Sequence, residues 1–332
     1  FSIDSNLPFV YWGYDWNFNF DHEFGFTYGE PLYYQNVTGL SMEFPWRWTT
    51  LTYGFNQYTI FNIENTDSDK RRYPGLEDRY NGAYMASELY TSWKIPVGID
   101  IGEYGALNYT PKIAAKVNYG LGKEVDYLRK TPILTLSHVL GFGQVNWIGN
   151  YRSGAEASIS NSYEFNFYKV RWDNRLSLSG IYHHRFSRLI GFSGRLMYQQ
   201  WFNDPANEAG DVLRGVLNDN LSAKYMLSLN VDFPFRLIRF YPSLWFENSK
   251  LRLFNFELHI SPFFDIALVK DPDRNREFSF RKLVYSGGME VIVFPGIMRS
   301  LYLRGSIGYR MPVSGAHGKK WDEIFIGLGH FY

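Results

Sequence analysis

The sequence has no cysteine among its 332 residues. That excludes a disulfide framework, a thiolate metal site and a cysteine nucleophile. It also lacks an excess of either charge: 34 Lys and Arg face 33 Asp and Glu, for a net charge of +1. Such a balance offers no electrostatic footprint for nucleic acid. Long hydrophobic runs are missing too. No window approaches the roughly 18 consecutive apolar residues that a membrane helix needs, and mean hydropathy is slightly negative. No charged-then-apolar leader precedes Phe1, so a secretory signal is expected to be removed or absent.

Aromatic residues are abundant instead. Tyr 26, Phe 28 and Trp 10 make up 19% of the chain. Phe and Tyr favour strands, and Tyr and Trp favour the water–lipid interface. A low mean hydropathy is compatible with a membrane barrel, because each strand turns only alternate residues toward lipid and averaging cancels the signal. The appropriate test is a period of two. Leu221, Ala223, Tyr225, Leu227, Leu229, Val231 and Phe233 alternate with Ser222, Lys224, Met226, Ser228, Asn230 and Asp232. Phe254, Phe256, Leu258 and Ile260 alternate with Asn255, Glu257, His259 and Ser261. Leu176, Leu178, Tyr182 and His184 alternate with Arg175, Ser177, Ser179 and His183.

Alternation alone fits either a soluble sandwich, whose apolar faces meet each other, or a membrane barrel, whose apolar face meets lipid. Long strands, aromatics near strand ends and the lack of helical segments favour the barrel. The pattern predicts strands over 9–20, 23–29, 35–45, 49–63, 83–95, 106–119, 131–147, 155–171, 174–187, 190–203, 220–233, 253–269, 282–294, 300–312 and 322–332. Bacterial single-chain barrels have even strand numbers. The expectation is therefore an all-β transmembrane antiparallel β-barrel of sixteen strands, with one strand hidden in the first 150 residues. It fills residues 1–332 as a single domain in the bacterial outer membrane, in contact with outer-membrane lipids.

The carboxy-terminal run DEIFIGLGHFY is strand-like to its end. In a barrel the last strand must pair with the first, because an open edge cannot sit in lipid. Phe325, Gly327, Gly329 and Phe331 are then expected to face inward, with Tyr332 outward. The tail resembles the carboxy-terminal recognition signal of bacterial outer-membrane proteins, which ends in an aromatic residue. That resemblance implies a partner in the outer-membrane assembly machinery.

The stretch GDVLRGVLNDNLSAKYMLSLNVDFP, Gly210 to Pro234, resembles the sixth outer loop and following strand of the outer-membrane assembly-factor superfamily, which includes BamA-type insertases and two-partner-secretion transporters. Leu213, Arg214, Gly215 and Val216 stand where the family has V-R-G-F/Y. Phe263, Asp265 and Ala267 stand where it has F-x-D-x-G, with alanine for the glycine. The resemblance implies that the loop folds into the lumen and that Arg214 meets Asp265. It also implies help in inserting or translocating client proteins, or lipids, at the outer membrane. The family usually carries POTRA domains before the barrel. No such segment is recognisable here, so a form without POTRA or other periplasmic domains is expected, with a homo-oligomer as one way to compensate. A porin-like diffusion channel is the alternative, its inward Arg175, Arg185, Arg304 and Arg310 favouring anions.

Signs of reaction chemistry are weak. Gly120-Leu121-Gly122-Lys123 lacks the full phosphate-loop pattern. His183 and His184 are adjacent, so on a strand they point to opposite faces and cannot chelate together. No nucleophile elbow occurs. Glu257 and Glu290 are lumen carboxylates with no readable serine–histidine arrangement beside them. No enzyme activity, catalytic residue, metal or cofactor is expected.

Overall fold

The computed structural model describes residues 2–25, 33–62, 84–120, 132–167, 170–203, 207–208, 212–214, 222–270, 278–280, 283–296, 301–311 and 323–330. The fold is all-β and antiparallel. The strands are β1 (Ser2–Tyr11), β2 (Tyr14–Gly25), β3 (Tyr33–Trp46), β4 (Thr49–Asn62), β5 (Tyr84–Asp100), β6 (Ala106–Gly120), β7 (Ile133–Ile148), β8 (Tyr151–Asn166), β9 (Arg171–Arg185) and β10 (Gly191–Trp201). They continue as β11 (Tyr225–Asp232), β12 (Phe235–Phe240), β13 (Phe256–Lys270), β14 (Val284–Pro295), β15 (Leu301–Met311) and β16 (Glu323–His330). A short helix, α1 (Pro242–Trp245), and a 3-10 turn over Ser249–Phe254 separate β12 from β13.

Contacts cluster in two compact units. One comprises Phe1–Pro96, Tyr109–His138 and Ser162–Asp173, and the other Val97–Asn108, Val139–Asn161 and Asn174–Tyr332. In the first, β1 to β4 and the start of β5 pair in sequence order. In the second, β10 pairs with β9 and β11, and β11 pairs with β13. From there β13 to β16 again pair in sequence order.

The first two predicted strands are out of phase with the structure. The span 9–20 contains a reversal at Trp12 and Gly13, whose φ angles are 54° and 77°. Two consecutive positive φ values make a tight hairpin turn whose twist matches the flanking strands. Asn-Gly is the usual signal for such a turn, and Trp-Gly concealed it. Residues 26–29 of the second predicted span lie outside the described residues.

The expected strand count also needs correction. Among the described residues, hydrogen bonding joins sixteen strands. However, β11 and β12 lie end to end along the same partner, β13. They are one strand interrupted at Pro234, which has no N–H to give the ladder, so separate strands number about fifteen. The additional segment thus falls at 235–240 and not in the first 150 residues. The predicted strand 220–233 is shorter than expected, since Ser222–Ala223 pairs with Asn207–Glu208 in a separate ribbon.

Polarity in the second unit is the reverse of a soluble sandwich. On β13 the side chains of Glu257, His259, Ser261 and Asp265 are buried, while Phe264 between them is 42% exposed. On β11 Ser228 and Asn230 are buried and Leu229 is 40% exposed. On β9 His183 is buried, its Nδ1 2.7 Å from Ser193 Oγ, and the adjacent His184 is exposed. Alternation therefore puts polar groups inside and apolar groups outside, as lipid requires and water does not. No helix of the described residues is long and apolar enough to cross a membrane, which says nothing of crossing by strands.

An apolar face this extensive should make the folded protein dependent on detergent or lipid. Dilution below the critical micelle concentration is expected to drive it from monodisperse particles to aggregate in light scattering. A monodisperse protein without detergent would contradict the polarity described above.

Candidate functional site: a loop latched to the buried strand face

The residues of β11 and β13 near the middle of the sheet create a problem that the loop before β11 solves. Asp265 is completely buried. An isolated carboxylate there would be strongly disfavoured without paired donors. Arg214 supplies them. Its Nε donates to Oδ2 at 3.0 Å, its Nη2 to Oδ1 at 2.5 Å and its backbone N–H to Oδ2 at 2.9 Å. The two guanidinium bonds form the parallel fork that arginine, and not lysine, can make. Asp232 accepts a further bond from Arg214 Nη1. The Phe263 ring lies under the guanidinium, 4.1 Å from centroid to Cζ, in cation–π range. Burial by itself would lower the Arg214 pKa. The bonds to Asp265 and the charges of Asp232 and Asp265 outweigh it and hold the pKa above its ordinary value. Arg214 is therefore a permanent cation.

The same loop is fixed at two other points. Asn230 Nδ2 donates to the Val212 carbonyl at 2.7 Å. Leu213 is buried among Met197, Trp201, Met226, Ala267, Val269 and Val284. Along β13 the buried face changes character: Asp265 is the last polar position, and Ala267 and Val269 follow. Leu213 and Arg214 match that change residue for residue, one apolar side chain on the apolar floor and one cation at the polar step. Burying a leucine side chain contributes about 1.5–3 kcal/mol.

Phe263 needs space of its own. In register it faces Gly288 on β14, which in turn faces Gly308 on β15. A Cβ on Gly288 would lie 2.6 Å from Phe263 Cζ and 2.0 Å from the Ile307 carbonyl oxygen. The glycine therefore admits both the aromatic ring and the close approach of β15.

The structure thus brings together Leu213, Arg214, Phe263 and Asp265. Gly215 and Val216 lie outside the described residues, as do Phe331 and Tyr332. Phe325, Gly327 and Gly329 lie on β16, where backbone register pairs Ser306 with Phe325, Arg304 with Gly327 and Tyr302 with Gly329. Ala267, where the resembled motif has glycine, contributes its methyl group to the floor beneath Leu213.

Sequence reasoning missed three partners. Asp232 shares the polar parity of Asn230 and lies opposite Phe263 in register, so pairing β11 with β13 would have found it. Asn230 carries the same signal. The glycine pair Gly287-Gly288 inside a strand was the available sign of a close approach. Glu257 and Glu290, weighed as a pair, sit in separate networks: Arg304 binds Glu290, whereas Asn150 and Tyr241 donate to Glu257 at 2.9 and 3.0 Å. The arrangement around Arg214 has no nucleophile or open coordination position. It is a mechanical latch.

A polar-inside antiparallel sheet carrying a loop latched in this way has the fold of the superfamily that holds the BamA-type insertases and two-partner-secretion transporters. No family model matches the sequence, and no curated protein matches it. Among solved structures, CdiB from Escherichia coli aligns with a TM-score of 0.61 and 8% identity, over 96% of this chain and 57% of that one. CdiB from Acinetobacter baumannii aligns with a TM-score of 0.57 and 12% identity, over 96% and 54%. BamA from Haemophilus ducreyi lacking POTRA domains 1-3 aligns with a TM-score of 0.54 and 12% identity, over 96% and 65%. The chain therefore spans a little over half the length of the two CdiB chains.

Arg214→Ala should cost about 3–5 kcal/mol of unfolding free energy, because it leaves the Asp265 carboxylate buried and unpaired. Arg214→Lys should recover only part of that, since lysine cannot form the fork. The double replacement Arg214→Met with Asp265→Leu should cost less than Arg214→Ala alone. Urea titration of the refolded protein in micelles measures all three, and equal stability of Arg214→Ala and wild type would remove the latch. Leu213→Ala is expected to cost about 2–5 kcal/mol by the same assay.

Proposed function

We propose that the chain is an outer-membrane β-barrel, closed by pairing of β1 with β16, that assists insertion or translocation of proteins, or lipids, at the outer membrane. The single observation that carries this reading is the Arg214–Asp265 latch on a sheet with the CdiB and BamA fold. A loop held inside by three bonds from one arginine occupies space that a diffusion pore leaves open, which favours a translocator or insertase over a porin. The mechanism is conformational and involves no bond chemistry. The seam between first and last strands would be the place of opening, and Gly327 and Gly329 on β16 would weaken it because glycine contributes little packing. Outer-membrane lipids, the assembly machinery that reads the aromatic tail and client membrane proteins are the partners this role implies. Residues 1–332 would make up the barrel.

Depleting the protein in its source cell and quantifying every other outer-membrane barrel by mass spectrometry tests this. A broad fall is expected of an insertase. A fall confined to one exported protein would identify a dedicated translocator. Unchanged levels of both, together with steady conductance in planar bilayers, would overturn the proposal in favour of a channel.

A further inference from the structure

At the ends of the strands away from the Arg214 loop, the second unit encloses a pocket of about 930 Å³. Arg185, Arg188, Arg236, Arg239 and Arg252 line it, with Glu257 the carboxylate among its lining residues. Glu257 is already engaged: Asn150 and Tyr241 donate to it, and Arg239 Nε and Arg236 Nη1 lie 3.5 and 3.9 Å away. Arg185 is held by the carbonyl oxygens of Ser187 and Ile148 at 3.0 and 3.3 Å, which orient it without neutralising it. Among the described residues, neither Arg188 nor Arg252 has an acidic partner within ion-pair distance. Five guanidinium groups around one carboxylate leave a strong positive field in a confined space, and such a field favours an anion. Guanidinium forks match phosphate oxygens in particular.

The rim supplies the second half of the argument. Leu244 lines the pocket and is 66% exposed, and the next two residues, Trp245 and Phe246, are 61% and 71% exposed. Three successive large apolar side chains on the short helix α1 and its end therefore project away from the protein beside the arginines. Free phosphate would engage the arginines and leave this rim in water. A molecule with a phosphate at one end and acyl chains at the other satisfies both, as Trp at a lipid interface does.

We propose that this pocket binds the phosphate of an anionic phospholipid headgroup, with Leu244, Trp245 and Phe246 seated in the acyl layer next to it. The proposal rests on the membrane-spanning reading above. It assigns a role to the long apolar connection between β12 and β13.

The test uses the full chain refolded in micelles containing equal amounts of phosphatidylglycerol and phosphatidylcholine, with retained lipid quantified after gel filtration. Wild type should retain phosphatidylglycerol preferentially. Arg188→Gln with Arg252→Gln should lower that preference about tenfold or more, at roughly 1 kcal/mol per removed arginine near an anionic surface. Both positions lie outside the strands and outside the Glu257 network, and heat-modifiable gel mobility verifies folding of the variant. Leu244→Ser with Trp245→Ser should lower lipid retention and leave binding of inorganic phosphate, measured by calorimetry, unchanged. Preference undiminished in the arginine variant overturns the site. Phosphate binding without any lipid preference overturns the lipid assignment in favour of a soluble anion. Protein that inserts into vesicles but shows no preference defeats this proposal alone, whereas protein that cannot insert defeats the membrane-spanning reading as well.

Discussion

Hydrogen bonding along the strands has to be completed within the sheet, because the exposed face offers no donors or acceptors. Leu229 and Phe264 point outward from β11 and β13, and the medium that suits them cannot satisfy a stray N–H. From this constraint follow the length of the strands, their pairing mainly in sequence order and the use of tight turns such as Trp12-Gly13. It also forces polar side chains onto the other face, where they must satisfy one another. Glu257, Asp265 and Glu290 all meet that demand with arginine or neutral donors.

The Arg214 latch is a local answer to the same demand. A buried carboxylate contributes little net stability when paired and is costly when abandoned. Its value is therefore positional. Asp265 accepts bonds from both the main chain and the side chain of one residue, so it fixes where the loop lies and how it is oriented. Leu213 then adds the apolar contacts that the fork cannot supply. Specificity of placement comes from the ion pair, and adhesion comes from the leucine.

Period-two alternation made the strand layout legible, because every strand from β3 onward expresses the two faces in its own residues. The latch was legible only through a resemblance, and only for Arg214 and Asp265. Asp232 and Asn230 escaped because they belong to the latch by register, and register between β11 and β13 is set across 33 intervening positions for the pair Asn230 and Asp265 minus their own ends. The interruption at Pro234 escaped for a different reason. Phe233 and Phe235 continue the apolar look of the strand, while the missing donor at Pro234 breaks its ladder. The segment from Pro234 to Arg252 reads as a long apolar connection, and it combines a strand extension over Phe235–Phe240 with the helix Pro242–Trp245.

The reversed polarity has a genetic consequence. Substitutions on the exposed face exchange one apolar residue for another at small cost, so sequence can drift widely while the fold persists. Deleting one codon inside β13 is a different event. Every residue beyond the deletion changes sides, and Glu257, His259 and Ser261 or else Asp265 would be turned toward the apolar surroundings together. Reading-frame-preserving insertions and deletions are therefore confined to the connections, and lengths of strands are inherited more strictly than their letters.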